Sequence, residues 1–191
     1  MNKSTRGSIL IAVGLTFIIA AGVLYVFNLK QDRLAGESAQ VLYDGFQHEV
    51  DYVYAQYTEE EQYINLGEYS LLGALEIREM GMRLPVLESW NYAMLRVAPC
   101  RYMGSIATGD LIIMGHNYQS HFACLESVSE GAEVIFTDAV GEEYEFIIKK
   151  IEHLHKTELE RLYTTGYPLT LFTCNDSGQE RIVVRCEKSK G

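Results

Sequence analysis

The chain has 191 residues, 48% of them hydrophobic and 22% charged, which suits one domain with a real core and leaves too little for two. Its formal net charge of −10 argues against a nucleic-acid partner, because phosphate contacts need clustered Lys and Arg. The acidity reads instead as solubility of an outer surface.

No residue between Arg6 and Lys30 is charged. Ser8 to Phe27 is an apolar stretch of about 20 residues, roughly 30 Å as a helix, which matches a bilayer core. A cleaved signal peptide would end a shorter apolar region at small residues. Here Ala20-Ala21-Gly22 is followed by Val23-Leu24-Tyr25-Val26-Phe27, so residues 1–30 are predicted to form an uncleaved membrane anchor. Lys3 and Arg6 on one side, against Lys30 and Arg33 offset by Asp32 on the other, lean toward a cytoplasmic N-terminus.

After the anchor, Leu34, Val41, Phe46, Val50, Val53 and Tyr57 recur at roughly helical spacing. They predict an amphipathic helix within a spacer over residues 31–66. Such stripes ordinarily pack on their own domain rather than on a partner. From residue 68 the pattern changes to short strands, and residues 67–191 read as one β domain. Leu71–Met80 and Met82–Glu88 are two apolar runs, and Ser89–Val97 reads as a short helix carrying the only tryptophan, Trp90. Strands are expected over Asp110–Met114, Glu133–Asp138, Glu143–Ile151, Leu169–Thr173 and Arg181–Glu187, with Asp138-Ala139-Val140-Gly141 as a hairpin connection. Strands at this spacing with few helices predict a mainly β fold, a closed barrel.

Cys100, Cys124, Cys174 and Cys186 make no Cys-x-x-Cys or Cys/His pattern typical of zinc, so no metal site is expected. If one thiol is a free nucleophile, the remaining three cannot all pair within the chain. A disulfide between Cys100 and Cys124 stays open on sequence alone. Alternation sets Ile182, Val184 and Cys186 on one face and Arg181, Val183 and Arg185 on the other, which aims Cys186 into the core.

The chemistry concentrates at strand tips. Cys174 ends the run Leu169-Thr170-Leu171-Phe172-Thr173, Arg181 opens the next run, and His116 follows the run ending at Met114 and Gly115. Each alone has an ordinary explanation: a core thiol, a strand-edge arginine, a turn histidine. Parity sharpens the set. If Leu169, Leu171 and Thr173 fill the core, then Cys174 opens outward with Phe172 as neighbour, and Arg181 faces outward beside it. A nucleophile, a proton carrier and a fixed cation would then share one surface, the equipment for acyl transfer through a thioester.

Thr170-Leu171-Phe172-Thr173-Cys174, Arg181-Ile182-Val183-Val184 and Gly115-His116-Asn117, with Leu71-Gly73-Leu75-Ile77 and Leu84-Pro85-Val86 upstream, resemble the motifs of the sortase family, membrane-anchored cysteine transpeptidases of Gram-positive bacteria. The resemblance spans residues 68–187 and implies a sortase-type barrel of about eight strands with short helices. It implies Cys174 as nucleophile, His116 as acid and base, and Arg181 as oxyanion or backbone donor. It further implies a sorting signal such as Leu-Pro-x-Thr-Gly on surface proteins, and the amino group of a cell-wall precursor as acceptor. The implied location is the cell membrane, with a single-pass anchor and the catalytic domain outside. Asn117, Leu159, Leu162, Tyr163, Phe172 and Thr173 are candidates to contact that peptide. No cofactor is required by this chemistry; some members bind calcium, for which no site is placed here.

The short loop before Leu169 fits a Leu-Pro-x-Thr-Gly-like signal and lacks the long insertion of class B members, although the Gly-His-Asn step is frequent among class B-like sequences. A pilin-polymerising member is disfavoured because no Asp-Pro-Trp/Phe-type lid precedes the barrel. His121, His153 and His155 are expected at the solvent or groove rim. The enzymatic rivals are an L,D-transpeptidase, which would show Ser-x-Gly-Cys, and an NlpC-like peptidase, with its cysteine at a helix start. The remaining rival is an anchored binding module with a buried thiol.

Overall fold

The structure, a computed structural model, describes residues 3–53, 62–163 and 166–189, with backbone only for 3–9 and 51–53. The chain divides into two compact units, 1–34 and 35–191. Helix α1, Lys3–Val53, runs without a break through the boundary.

In the first unit, apolar side chains are exposed all round the helix, from Leu10, Ile11 and Phe17 to Val26 and Phe27. The helix reaches a mean hydropathy of 2.5 over an 18-residue window and is long enough to cross a membrane. Within this stretch the Thr16 hydroxyl donates to the Ala12 carbonyl at 2.9 Å, so it meets its own hydrogen-bonding need within the helix.

The second unit is a closed β barrel with few helices. Strands β1 (Ile64–Leu66), β2 (Tyr69–Ile77), β3 (Met82–Leu87), β4 (Cys100–Met103), β5 (Leu111–Met114), β6 (Glu133–Asp138), β7 (Glu143–His155), β8 (Leu169–Cys174) and β9 (Glu180–Lys188) form one sheet. Eight of them close in the order β2-β3-β4-β5-β8-β9-β7-β6, with β6 returning to β2; β1 lengthens the sheet beside the start of β2. The pairs β3–β4 and β5–β8 are parallel and the others antiparallel. Asp138 makes the β6–β7 hairpin as anticipated. Its Oδ1 accepts from the Val140 and Glu142 amides, and Gly141 takes the positive φ of 86° that a side chain would resist.

Inward-facing Leu75, Ile77, Leu84, Val86, Leu111, Ile113, Leu169, Leu171, Ile182, Val184 and Cys186 share the barrel core. Two further apolar clusters cover parts of the outer surface. In one, Leu42, Phe46 and Val50 of α1 pack with Leu71, Ala74, Leu87 and Cys100. The buried stripe of α1 is Ala35, Ala39, Leu42, Phe46 and Val50, so it shares Phe46 and Val50 with the stripe read from sequence. Leu34 and Val41 of that stripe are exposed instead; Tyr57 lies outside the described residues, as does the side chain of Val53. Small side chains decide this face, because they let the helix come close: a Cβ on Gly36 would sit 2.9 Å from Ser120 Cβ.

The other outer cluster is Ile112, Leu154, Leu162, Phe172 and Val183, joined by Tyr102 and Met114. It lies under α2, Glu160–Tyr163, a single turn in the β7–β8 connection. The helix expected over Ser89–Val97 is only a 3₁₀ turn at Met94–Arg96. Asn91 Oδ1 accepts from the Ala93 and Met94 amides, which caps the turn only at residue 91, and Pro99 keeps it from running on. Strand β7 runs on past Ile151 to His155 because its polar residues pair with β9 through His155↔Glu180.

Candidate active site

Three neighbouring strands bring the sequence-derived trio together. In the β8–β9 ladder Cys174 pairs directly with Arg181, which puts the two side chains on one face of adjacent strands. On the other side of β8, the parallel ladder with β5 reaches Met114↔Phe172, and the Gly115 amide donates to the Phe172 carbonyl at 3.0 Å. His116 therefore leaves β5 alongside the strand end that carries Cys174. Cys174 and Arg181 are both half-buried.

The His116 segment is held tightly. Its carbonyl accepts from the Phe122 amide at 3.1 Å, and a Cβ on Gly115 would meet the Phe122 ring at 2.4 Å. Only glycine permits that approach. The Tyr118 ring stacks on the imidazole at 3.8 Å and 7°. Asn117 Nδ2 donates to Asp176 Oδ1 at 3.4 Å, which links the histidine segment to the β8–β9 turn. Burial pushes the His116 imidazole below its ordinary pKa; the Asn117 hydrogen bond opposes this, and the charge of Arg96 adds to it. His116 Nδ1 is buried without a hydrogen-bond partner among the described residues.

The β8–β9 turn presents Arg181. Asn175 closes it, its amide donating to the Glu180 carbonyl and its Oδ1 accepting from the Glu180 amide and Ser177 Oγ. Arg181 Nη1 donates to the Gly178 and Glu180 carbonyls at 3.3 and 3.2 Å, which turns the guanidinium toward the strand end.

A run of aromatic rings borders this surface. Tyr102 of β4 and Tyr163 of α2 stack at 6.1 Å and 4°, with their hydroxyls 2.9 Å apart. Tyr102 also sets an edge against Phe172, and Trp90 and Tyr92 continue the run outward. The Tyr163 hydrogen bond and burial raise the Tyr102 phenol to about 12, while the charge of Arg181 pulls against them. Trp90, Tyr92 and Tyr102 were not among the sequence candidates. Trp90 was visible as the lone tryptophan, but nothing local tied it to β4 or α2.

The other candidates fall in different layers. Leu159, in the turn before α2, and Tyr163, at the end of α2, are exposed. Leu162 turns inward and is buried with Phe172 in the cluster beneath, and Thr173 is buried with its hydroxyl lacking a hydrogen-bond partner among the described residues. His153 and His155 are exposed, but His121 is not at the rim: it is buried, with Nε2 3.4 Å from the Ala35 carbonyl, because α1 covers it. All four cysteines are free thiols, so the pairing left open between Cys100 and Cys124 is not formed. Cys186 lies in the barrel core as alternation requires, and Cys124 Sγ contacts Met82 Sδ at 3.5 Å. Among the described residues no three His, Cys, Asp or Glu gather as metal ligands.

A model of the sortase domain matches residues 75–189. The chain is similar to the structure of a sortase D5 transpeptidase of Clostridium perfringens, at 15% identity and a TM-score of 0.65, over 81% of this chain and 99% of that one. It is similar to sortase A of Listeria monocytogenes at 21% identity and a TM-score of 0.57, over 63% and 88% of the two chains. Sortase C-3 of Streptococcus pneumoniae is alike at 20% identity and a TM-score of 0.57, over 85% and 90%. No curated protein sequence matches the chain.

Proposed function

The chain belongs to the sortase family, whose members are cysteine transpeptidases, and from that premise we propose that it cuts a Leu-Pro-x-Thr-Gly-like sorting signal and joins the acyl part to an amine. The observation that carries this reading is the Cys174↔Arg181 pairing, with His116 just past the end of the neighbouring strand β5.

Cys174, as thiolate, attacks the carbonyl carbon before the scissile bond, forming a C–S bond. Arg181 donates to the oxyanion that develops, and it does so without titrating. The C–N bond breaks as His116 gives its proton to the leaving amine, which leaves a thioester on Cys174. An incoming amino group attacks the thioester and loses its proton to His116; the new amide forms and Cys174 departs. The depressed pKa of His116 favours giving up its proton, the direction that the first half needs, over holding it.

The acceptor fitting this scheme is an amino group of a cell-wall precursor, and the donors are surface proteins with a C-terminal sorting signal. The apolar helix suits a membrane anchor, and in this reading its N-terminus is cytoplasmic and the barrel external. Tyr163 on α2 and Leu159 just before it, with Asn117, are the residues through which the peptide would be held.

The test is to incubate the full-length chain in detergent with a panel of labelled sorting-signal peptides and amine acceptors. An acyl adduct on Cys174 by mass spectrometry, followed by transfer to an amine, is the expected result. Absence of any Cys174 adduct across the panel would overturn the proposal.

A further inference from the structure

Arg185 shares the outward parity of Arg181 on β9, yet among the described residues it is the largest fully buried side chain, with no exposed surface. A buried guanidinium is costly unless every strong donor finds an acceptor, and here the acceptors come from three elements. Nε donates to Glu152 Oε1 of β7 at 3.0 Å, and Nη1 to Thr170 Oγ1 of β8 and the Leu162 carbonyl of α2, both at 3.1 Å. Nη2 donates to the Arg161 carbonyl at 2.6 Å.

Two of those acceptors explain the placement. Helix α2 is four residues long, too short to hold its own shape, and the carbonyls at its C-terminal end have no partner within the helix. Arg185 supplies both donors and charge at that end, acting as a cap delivered from a different strand. Glu152 closes the arrangement from the side, since its carboxylate also accepts from Lys150 at 2.8 Å and Arg161 Nη2 at 3.3 Å. Leu162 then drops into the apolar cluster with Phe172 and Val183. The next residue, Tyr163, meets Tyr102. Buried ion pairs can commonly be replaced by packed apolar side chains without loss of stability. Filling the space would not require a cation, whereas fixing two carbonyls in direction does.

We propose that Arg185 is a positioning residue of the substrate groove. It fixes α2 from beneath, so that Leu159 and Tyr163 stand at a set distance from Tyr102, and thereby governs peptide affinity without touching the peptide. This rests on the reading above that a sorting-signal peptide lies against α2.

The test compares full-length wild type, Arg185→Lys and Arg185→Met in detergent by amide hydrogen exchange, by KM and kcat on a sorting-signal peptide, and by the rate of Cys174 alkylation with a small reagent. Arg185→Lys keeps the charge but loses the planar fork. It is expected to speed exchange at residues 158–163 by about tenfold and to raise KM by about tenfold, with kcat and alkylation within about twofold. Exchange in β8 and β9 should stay at the wild-type level. If Arg185→Met does not fold, Glu152→Gln removes the carboxylate at constant volume and is expected to show the same pattern in weaker form. An unchanged KM in folded variants, or exchange that rises equally in α2 and the barrel strands, overturns the proposal. Failure of wild type to form any Cys174 adduct would instead sink the functional reading, and the exchange pattern alone would then decide whether Arg185 fixes α2.

Discussion

On the inner face of β8 and β9, Leu169, Leu171, Ile182, Val184 and Cys186 meet the barrel core. On the outer face, Thr170, Phe172 and Cys174 stand beside Arg181, Val183 and Arg185, partly covered by α2. Both faces are largely buried, but by different means. The inner face needs volume and apolarity, which many sequences supply; the outer face needs hydrogen bonds in fixed directions. In the function proposed above, the same two strands carry stability on one side and chemistry on the other, and substitutions on each should separate the two properties.

The largest separation is expected from Cys174→Ala. Adduct formation and transfer should fall by at least about 10³-fold, while the thermal midpoint stays near wild type, read by mass spectrometry and by melting. A wild-type transfer rate would end the outer-face assignment. Leu171→Ala on the inner face should do the opposite, costing about 2–5 kcal/mol of stability in denaturant melts and leaving the peptide KM of the folded fraction unchanged. Gly115→Ala tests the junction. Its Cβ would strike Phe122 at 2.4 Å, so we expect about 1–3 kcal/mol of destabilisation together with a lower kcat, because His116 moves with the displaced backbone.

Two smaller effects are read by titration. Burial works to raise the Glu152 carboxyl, but the Lys150 and Arg185 hydrogen bonds and charges outweigh it and hold the group below its ordinary 4.5. Its contribution is therefore fully present above 4.5 and lost as pH falls through the depressed value. Acid should accelerate hydrogen exchange in α2 before it does so in the inner face, and simultaneous release of both would contradict the difference between the faces. Last, Arg96→Gln removes a charge that helps depress His116. The corresponding limb of the kcat/KM profile should move to higher pH, and a downward move would show that the charge acts otherwise.

Alternation made much of this legible. It separated Ile182, Val184 and Cys186 from Arg181, and the Asp138–Gly141 turn and most strand positions followed from local pattern. What escaped was long-range cover. Arg181 and Arg185 have the same parity, and only α2, arriving from the β7–β8 connection, makes one half-exposed and the other buried. His121 looked like a rim histidine because the helix over it lies far back in the chain. On α1 the bulky Leu34 and Val41 drew attention, whereas close packing selected Ala35 and Ala39. Strand β4, Cys-Arg-Tyr-Met, shows no alternation and was invisible until its neighbours placed it.

The three spare thiols give the molecule a chemical record of its own integrity. Burial raises Cys100 and Cys186 to about 12 and Cys124 to about 11. Because the thiolate is the form that alkylates and oxidises, the fully buried Cys100 and Cys186 are shielded at neutral pH by both burial and a raised pKa, and the partly buried Cys124 less so. Uptake of reagent by Cys100 or Cys186 then counts opened molecules, so the chain reports its own unfolding through the two thiols sealed in it.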